Sequence, residues 1–316
     1  MKKLFESDRD SFNKELASLL SVQDKNEKHL LKLLVTFEVR STSTETNAPA
    51  TFYFLFPCAD GDLWHFWKMH QSESSRLCRG AWMAEQCYEL AKALAVVHNE
   101  RIRQFRKFDI QENQQELYGR HGDMKASNIL WFSKDDILTI ANFGLGRLHS
   151  EISRSNENPQ ATGNTATYRA PEFDIQAHSI SRACDIFSLG CVFLEFVTWF
   201  LEGWESVHTE FPNYRLERDI YDFEADTFFA IENSRTPQEQ AILKPKVKAW
   251  IDKLRNSPHC NQYITDFLDL IQEKILEPTT QRRIKSPELV NKLDCFRQAC
   301  RSESDYCKTQ FDIPQR

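Results

Sequence analysis

The sequence predicts an α+β fold in two lobes, a small strand-bearing one followed by a mostly helical one. Three observations carry this. Strand-like stretches cluster near the amino terminus, runs of helical period fill the later part, and one of those runs is apolar nearly all round, which places it at the centre of a core. With 316 residues, 41% hydrophobic and 27% charged, the chain has an ordinary globular makeup and enough length for two lobes sharing a cleft. No internal repeat appears.

The elements follow in order. In SFNKELASLLSV, Phe12, Leu16, Leu19 and Leu20 recur at helical spacing behind the capping-type run ESDRD, so an amphipathic helix is predicted from Ser11 to Val22. HLLKLLVTFEV and ATFYFLFPCADGDL read as strands, the second ended by Pro57 and a turn about Asp60, Gly61 and Asp62. The polar RSTSTETNAPA between them reads as a hairpin loop. Beyond Asp62 the pattern turns helical: Met83, Cys87, Leu90, Leu94 and Val97 form the stripe of a long helix with one buried face. The charged NERIRQFRKFDIQENQQELYGR reads as an inserted surface loop. NILWF and ILTIANFG are strand-length pieces parted by SKDD, and CDIFSLGCVFLEFVTWF is the all-round apolar helix.

From Glu202 to Gln240 no period is sustained; Trp204, Phe211, Tyr214, Tyr221, Phe223, Phe228 and Phe229 there belong either to the core or to an interaction surface. KPKVKAWIDKLR, YITDFLDLIQEKIL and SPELVNKLDCFRQA are three further helical patterns. The last has Ser286 as N-cap, Pro287 at the first helical position and Glu288 in the first turn. The final SESDYCKTQFDIPQR is expected to fray.

A net charge of −6 points to neither a nucleic-acid backbone nor an anionic membrane as partner. The nine cysteines are odd in number and lack a C-x-x-C pair, which argues against a disulfide framework or a cysteine zinc site and for buried thiols. MKKLFESDRD has no apolar core of a secretory signal, and the longest apolar run, Cys191 to Leu201, is too short for a bilayer and contains Glu195. A reducing cytoplasmic or nuclear setting is the expectation.

The chemistry concentrates in HGDMKASNILWF, His121 to Phe132, and NFGLGR, Asn142 to Arg147. Asp123 can orient a hydroxyl or accept its proton, Lys125 can neutralise a phosphoryl oxygen, and Asn128 can hold a divalent cation through its amide oxygen. Each alone is an ordinary turn or cap residue. Together in one tight loop they fit phosphoryl transfer. His121 is read as a packing group, not a proton carrier.

HGDMKASNIL resembles the catalytic loop H-R-D-L-x-x-x-N of protein kinases, NFG resembles D-F-G, and TATYRAPEF resembles the end of the activation segment with its A-P-E. CDIFSLG looks like the family's D-x-W-S-L-G, and QRRIKSPEL is similar to its late arginine motif. The five motifs keep the family's order from Arg120 to Leu289, and the style of GRHGD…NILWF is similar to a group of fungal protein-kinase-like proteins.

The resemblance implies a bilobal protein-kinase-like fold with an incomplete N-terminal β lobe. Residues 1–57 would be the later part of the small lobe (the family's third strand, its C helix, and its fourth and fifth strands). Residues 58–300 would be the large lobe with inserts near 100–120 and 202–240, and 301–316 a tail. It implies ATP and Mg²⁺ as cofactors, and a protein substrate or regulatory protein as partner. Lys2, or alternatively Lys3, would face the phosphates, held by Glu15. Phe56 would be the gatekeeper, and Pro57 to Ala59, including Cys58, the hinge that meets adenine. His121 and Phe143 would be structural, Asp185 would prop the catalytic loop, and Glu172 would pair with Arg283 or Arg282. Lys125 two positions after Asp123, with Thr165 touching both, implies the serine/threonine class.

Three departures bear on activity. Asn142 replaces the D-F-G aspartate, so the two implied metal ligands, Asn128 and Asn142, are both neutral amides; losing ~3 kcal/mol of metal-linked stabilisation would slow transfer by about two powers of ten. A lysine-bearing strand at Met1 leaves no room for the Gly-rich loop, so either the chain is naturally shortened or its true start lies upstream. Gly122 stands where the family's arginine receives an activation-segment phosphate, which weakens the case for control by phosphorylation between Leu148 and Thr167. The expectation is a kinase-like domain whose transfer is weak or lost and whose ATP and Mg²⁺ binding is weakened. The alternatives are an active serine/threonine kinase whose Gly-rich loop is missing from this sequence, and a structural scaffold.

Overall fold

A computed structural model describes residues 1–3, 9–23, 27–39, 50–99, 119–142, 167–175, 180–218, 223–232, 240–302 and 305–308. The fold pairs a small strand-rich amino-terminal region with a helical carboxy-terminal part. Three strands, β1 (Lys2–Lys3), β2 (Val35–Val39) and β3 (Thr51–Leu55), form an antiparallel sheet in the order β1-β3-β2. Alternation along β3 turns Phe52 and Phe54 toward helix α1 (Arg9–Gln23), where the Phe12 ring stacks on Phe52 at 4.5 Å. Leu19 is also buried, but Leu20, placed on the same stripe by its spacing, is 48% exposed. On the other face of the sheet Phe37 stacks on Tyr53 at 5.0 Å.

The strand predicted from His29 onward begins only at Val35. Residues 29–31 pair elsewhere: Ile140 N–H donates to the His29 carbonyl at 2.8 Å and Leu31 N–H to the Ile140 carbonyl at 2.9 Å. This ties the first sheet to the second, made of β4 (Gly61–Asp62), β5 (Ile129–Phe132) and β6 (Ile137–Ile140). The Asp62 carboxylate caps helix α2 (Leu63–Met69), accepting from His65 N–H at 2.8 Å. Ser72 caps the short α3 (Glu73–Leu77).

Helix α4 (Gly80–Asn99) buries Met83, Cys87, Leu90, Leu94 and Val97 along its stripe. Helix α5 (Ala183–Glu202) is buried continuously from Cys184 to Leu201. It is long and apolar enough to cross a membrane by length and composition, yet its whole apolar window is buried inside the fold. Gly203, with φ 91°, ends it in a backbone conformation that suits glycine.

The stretch without a readable period contains α6 (Phe211–Arg215) and two hairpins, β7 (Glu217–Arg218) with β8 (Glu224–Ala225) and β9 (Phe229–Glu232) with β10 (Gln240–Leu243). Phe211, Phe228 and Phe229 belong to the core, whereas Tyr214 and Phe223 are exposed. Tyr221 lies outside the described residues, as do residues 100–118 of the predicted surface loop, whose first residue, Asn99, instead ends α4. Helices α7 (Pro245–Arg255), α8 (Gln262–Leu270) and α9 (Ser286–Ser302) complete the fold, and α8 runs into a π-type turn at Ile271–Ile275.

Two further sequence expectations need correcting. Ser286 does not cap α9; its hydroxyl is drawn instead into a hydrogen bond with buried His98. The tail does not fray at once: Tyr263 N–H donates to the Tyr306 carbonyl at 3.0 Å, the Tyr306 hydroxyl donates to Asp266 at 2.8 Å, and Cys307 is buried. These bonds and the buried thiol hold 305–308 against α8.

Candidate functional site

The loop between α4 and β5 is held from below by Asp185 of α5. Its buried carboxylate accepts His121 N–H and Gly122 N–H, each at 2.8 Å, and meets His98 Nε2 at 3.0 Å. Burial works to raise this carboxyl, but the hydrogen bond and charge of His98 prevail and hold it below its usual range. His121 Nδ1 accepts Asp123 N–H at 3.2 Å, so Nε2 carries the proton and donates to the Ala141 carbonyl at 2.8 Å. Burial lowers its imidazole below the usual value. Gly122 sits at φ 79°, which glycine adopts without strain.

Above that support four side chains converge. Lys125 Nζ lies 3.0 Å from Asp123 Oδ2, and Asn128 Nδ2 donates to the same oxygen at 2.9 Å and to the Asp123 carbonyl at 2.7 Å. Asn142 Nδ2 donates to Asn128 Oδ1 at 2.8 Å. Ala141 N–H also donates to the Asn128 carbonyl at 2.9 Å, which fixes the end of β6 against the loop. Asn142 has φ 62°, a left-handed conformation that asparagine tolerates better than most residues.

Across the sheet, Lys2 Nζ reaches Glu15 Oε1 at 2.7 Å, joining β1 to α1, while Lys3 is exposed. Phe56 is half-buried against the core, Cys58 is exposed and Ala59 half-buried. Glu172 and Arg283 form a buried bidentate pair at 2.8 and 3.0 Å, and the neighbouring Arg282 is exposed. Phe143 and Thr165 lie outside the described residues.

The motifs did not reveal a second polar cluster. The Tyr168 hydroxyl donates to Glu195 Oε2 at 2.7 Å, and Arg215 NH2 lies 3.4 Å from Glu195 Oε1. Thr167 donates to Asp226 at 2.7 Å, and Arg215 Nε to the Asp226 carbonyl at 2.7 Å. Burial raises the Glu195 carboxyl to about 7 against the pull of the Arg215 charge. Burial likewise lowers the Lys244 ammonium to about 8. The sequence signal for this cluster was Glu195 itself, a carboxylate inside the apolar run Cys191 to Leu201 that requires buried partners. His98 had no such signal.

The protein kinase domain family matches this chain over residues 1–293, and the chain belongs to that family. Among its relatives, mitogen-activated protein kinase 6 of Arabidopsis thaliana is 27% identical over 250 residues, covering 75% of this chain and 51% of the relative. Mitogen-activated protein kinase 5 of the same plant is 29% identical over 146 residues, 46% of this chain and 32% of the relative. A serine/threonine-protein kinase of Candida albicans is 32% identical over 118 residues, 35% of this chain and 13% of the relative. The chain thus spans about half, or less, of the length of these relatives.

Protein kinase domains in general use ATP with Mg²⁺. The Lys2–Glu15 pair suits a phosphate-facing role. Asn128 and Asn142 are a poor pair for a Mg²⁺ ion: both are neutral, and Asn142 turns its amide N–H toward Asn128 Oδ1.

Proposed function

We propose that this chain is a protein-kinase-like domain of serine/threonine type in which transfer of the ATP γ-phosphoryl group to protein hydroxyls is weak or lost. Its role is then to bind nucleotide or a protein partner in a regulatory capacity. The observation that carries this reading is the 2.8 Å hydrogen bond between Asn142 and Asn128, two neutral amides where cation binding needs charge. Asp123 and Lys125, 3.0 Å apart, support retention of a hydroxyl-positioning loop without a metal grip. No disulfide joins any of the nine cysteines, which suits a reducing intracellular setting.

A radiolabel assay with ATP and Mg²⁺ tests it. Wild type is expected at the background set by Asp123→Ala, and Asn142→Asp is expected to raise transfer by about 100-fold where a basal rate exists. Robust wild-type transfer that Asp123→Ala abolishes would overturn the proposal. That outcome would favour an active serine/threonine kinase, a reading supported by the Lys2–Glu15 pair at 2.7 Å.

A further inference from the structure

Away from that loop, Glu27, His29 and Glu89 bring one imidazole nitrogen and two carboxylates within 4.8 Å of one another where the α1–β2 connection meets α4. The His29 and Glu27 side chains are 9% and 8% exposed. His29 Nδ1 lies 2.6 Å from the Leu138 carbonyl oxygen. A carbonyl only accepts, so Nδ1 carries a proton, and Nε2 is left facing Glu89 Oε2, 4.0 Å away. One ring nitrogen and two carboxylates facing one another in a largely buried space favour a cation between them. Lys92 supplies one, its Nζ 3.3 Å from Glu27 and 2.8 Å from Glu89, but that side chain is 41% exposed and can swing into water.

We propose that Glu27, His29 and Glu89 form a Zn²⁺ site and that Lys92 is its built-in competitor. A histidine oriented by a backbone carbonyl through its other nitrogen is the arrangement that positions metal-ligating imidazoles. One imidazole with two carboxylates suits zinc better than the all-oxygen shells of Ca²⁺ or Mg²⁺. Tetrahedral ligands about 2.1 Å from zinc sit about 3.4 Å apart. The widest gap, no more than 4.8 Å, therefore closes through small rotations of the glutamates. The His29 carbonyl accepts Ile140 N–H at 2.8 Å, two residues before Asn142, so an ion here would tie α4 to the segment paired with the strand that leads to Asn142.

The test is calorimetric titration of the whole, metal-stripped chain with Zn²⁺, with Ca²⁺ and Mg²⁺ as controls and Co²⁺ as a spectroscopic stand-in. The expected result is one Zn²⁺ per chain, weakened at least about tenfold by Glu89→Gln. Lys92→Met keeps the apolar stem, removes the competing ammonium and is expected to tighten binding; as a half-exposed substitution it retains the fold even if Glu89→Gln does not. Bound Co²⁺ should show no thiolate charge-transfer absorption. No binding, an affinity that neither variant changes, a thiolate band, or Ca²⁺ binding as tightly as Zn²⁺ would each overturn the site.

Discussion

Arg283 and Glu172 meet in two parallel hydrogen bonds with both side chains shut away from water. Arg283→Ala leaves a carboxylate buried without its counter-charge, and urea unfolding should register a loss of about 3–5 kcal/mol. Glu195 gives a pH signature. Its carboxyl is raised from 4.5 to about 7, so between those values the unfolded chain releases a proton that the folded chain keeps. Stability from this residue is greatest below pH 4.5, falls as pH rises through the window and is level above it, a total of roughly 3 kcal/mol. Glu195→Gln should remove that slope; urea midpoints measured from pH 4.5 to 7.5 that fall in parallel for both proteins would contradict it. At this scale the sequence is legible where chemistry follows fixed spacing, as with Asp123, Lys125, Asn128 and Asn142. It is silent where adjacent residues differ only in the direction they face, as Lys2 and Lys3 do, or where partners are remote, as His98 and Asp185 are.

Helix α5 passes so close to the π-type turn that a Cβ added at Gly190 would lie 2.5 Å from Ile275 Cγ2 and 3.0 Å from Leu276 Cδ2. Gly190→Ala should therefore cost about 1–3 kcal/mol through overpacking, less about 1 kcal/mol of helix propensity regained. A thermal midpoint equal to or above wild type would show that the turn yields instead. Periodicity made α4 and α5 readable, because each buries a long regular stripe or its whole circumference. The late start of β2 was not readable: His29 to Leu34 is as apolar as a strand, but the backbone of residues 29–31 is claimed by β6, far along the chain. The cap assigned to Ser286 failed for a similar reason, since local pattern cannot anticipate a buried imidazole beside the hydroxyl.

Over the whole molecule, the order of strands first and helices after showed in the change of hydrophobic period, and with it the α+β class. Pairings between distant segments left no such trace. One joins α4 to α9, where Arg297 lies 4.1 Å over the Tyr88 ring and Arg301 meets Glu85 at 2.6 Å. The insert after α5 is another, since Arg215 and Asp226 complete a polar cluster around a residue of α5. Unequal burial should appear in hydrogen exchange: α5 amides should open only with global unfolding, whereas α1, whose buried side chains among the described residues are Phe12, Glu15 and Leu19, should open at lower cost. Equal protection of the two would refute this ranking. The makeup of α5 also governs the fate of denatured chains. Once its neighbours separate, a 20-residue apolar segment meets solvent, and other chains offer the nearest shelter. Heated samples should then clump faster than they refold, and the apparent melting temperature should drift upward with scan rate.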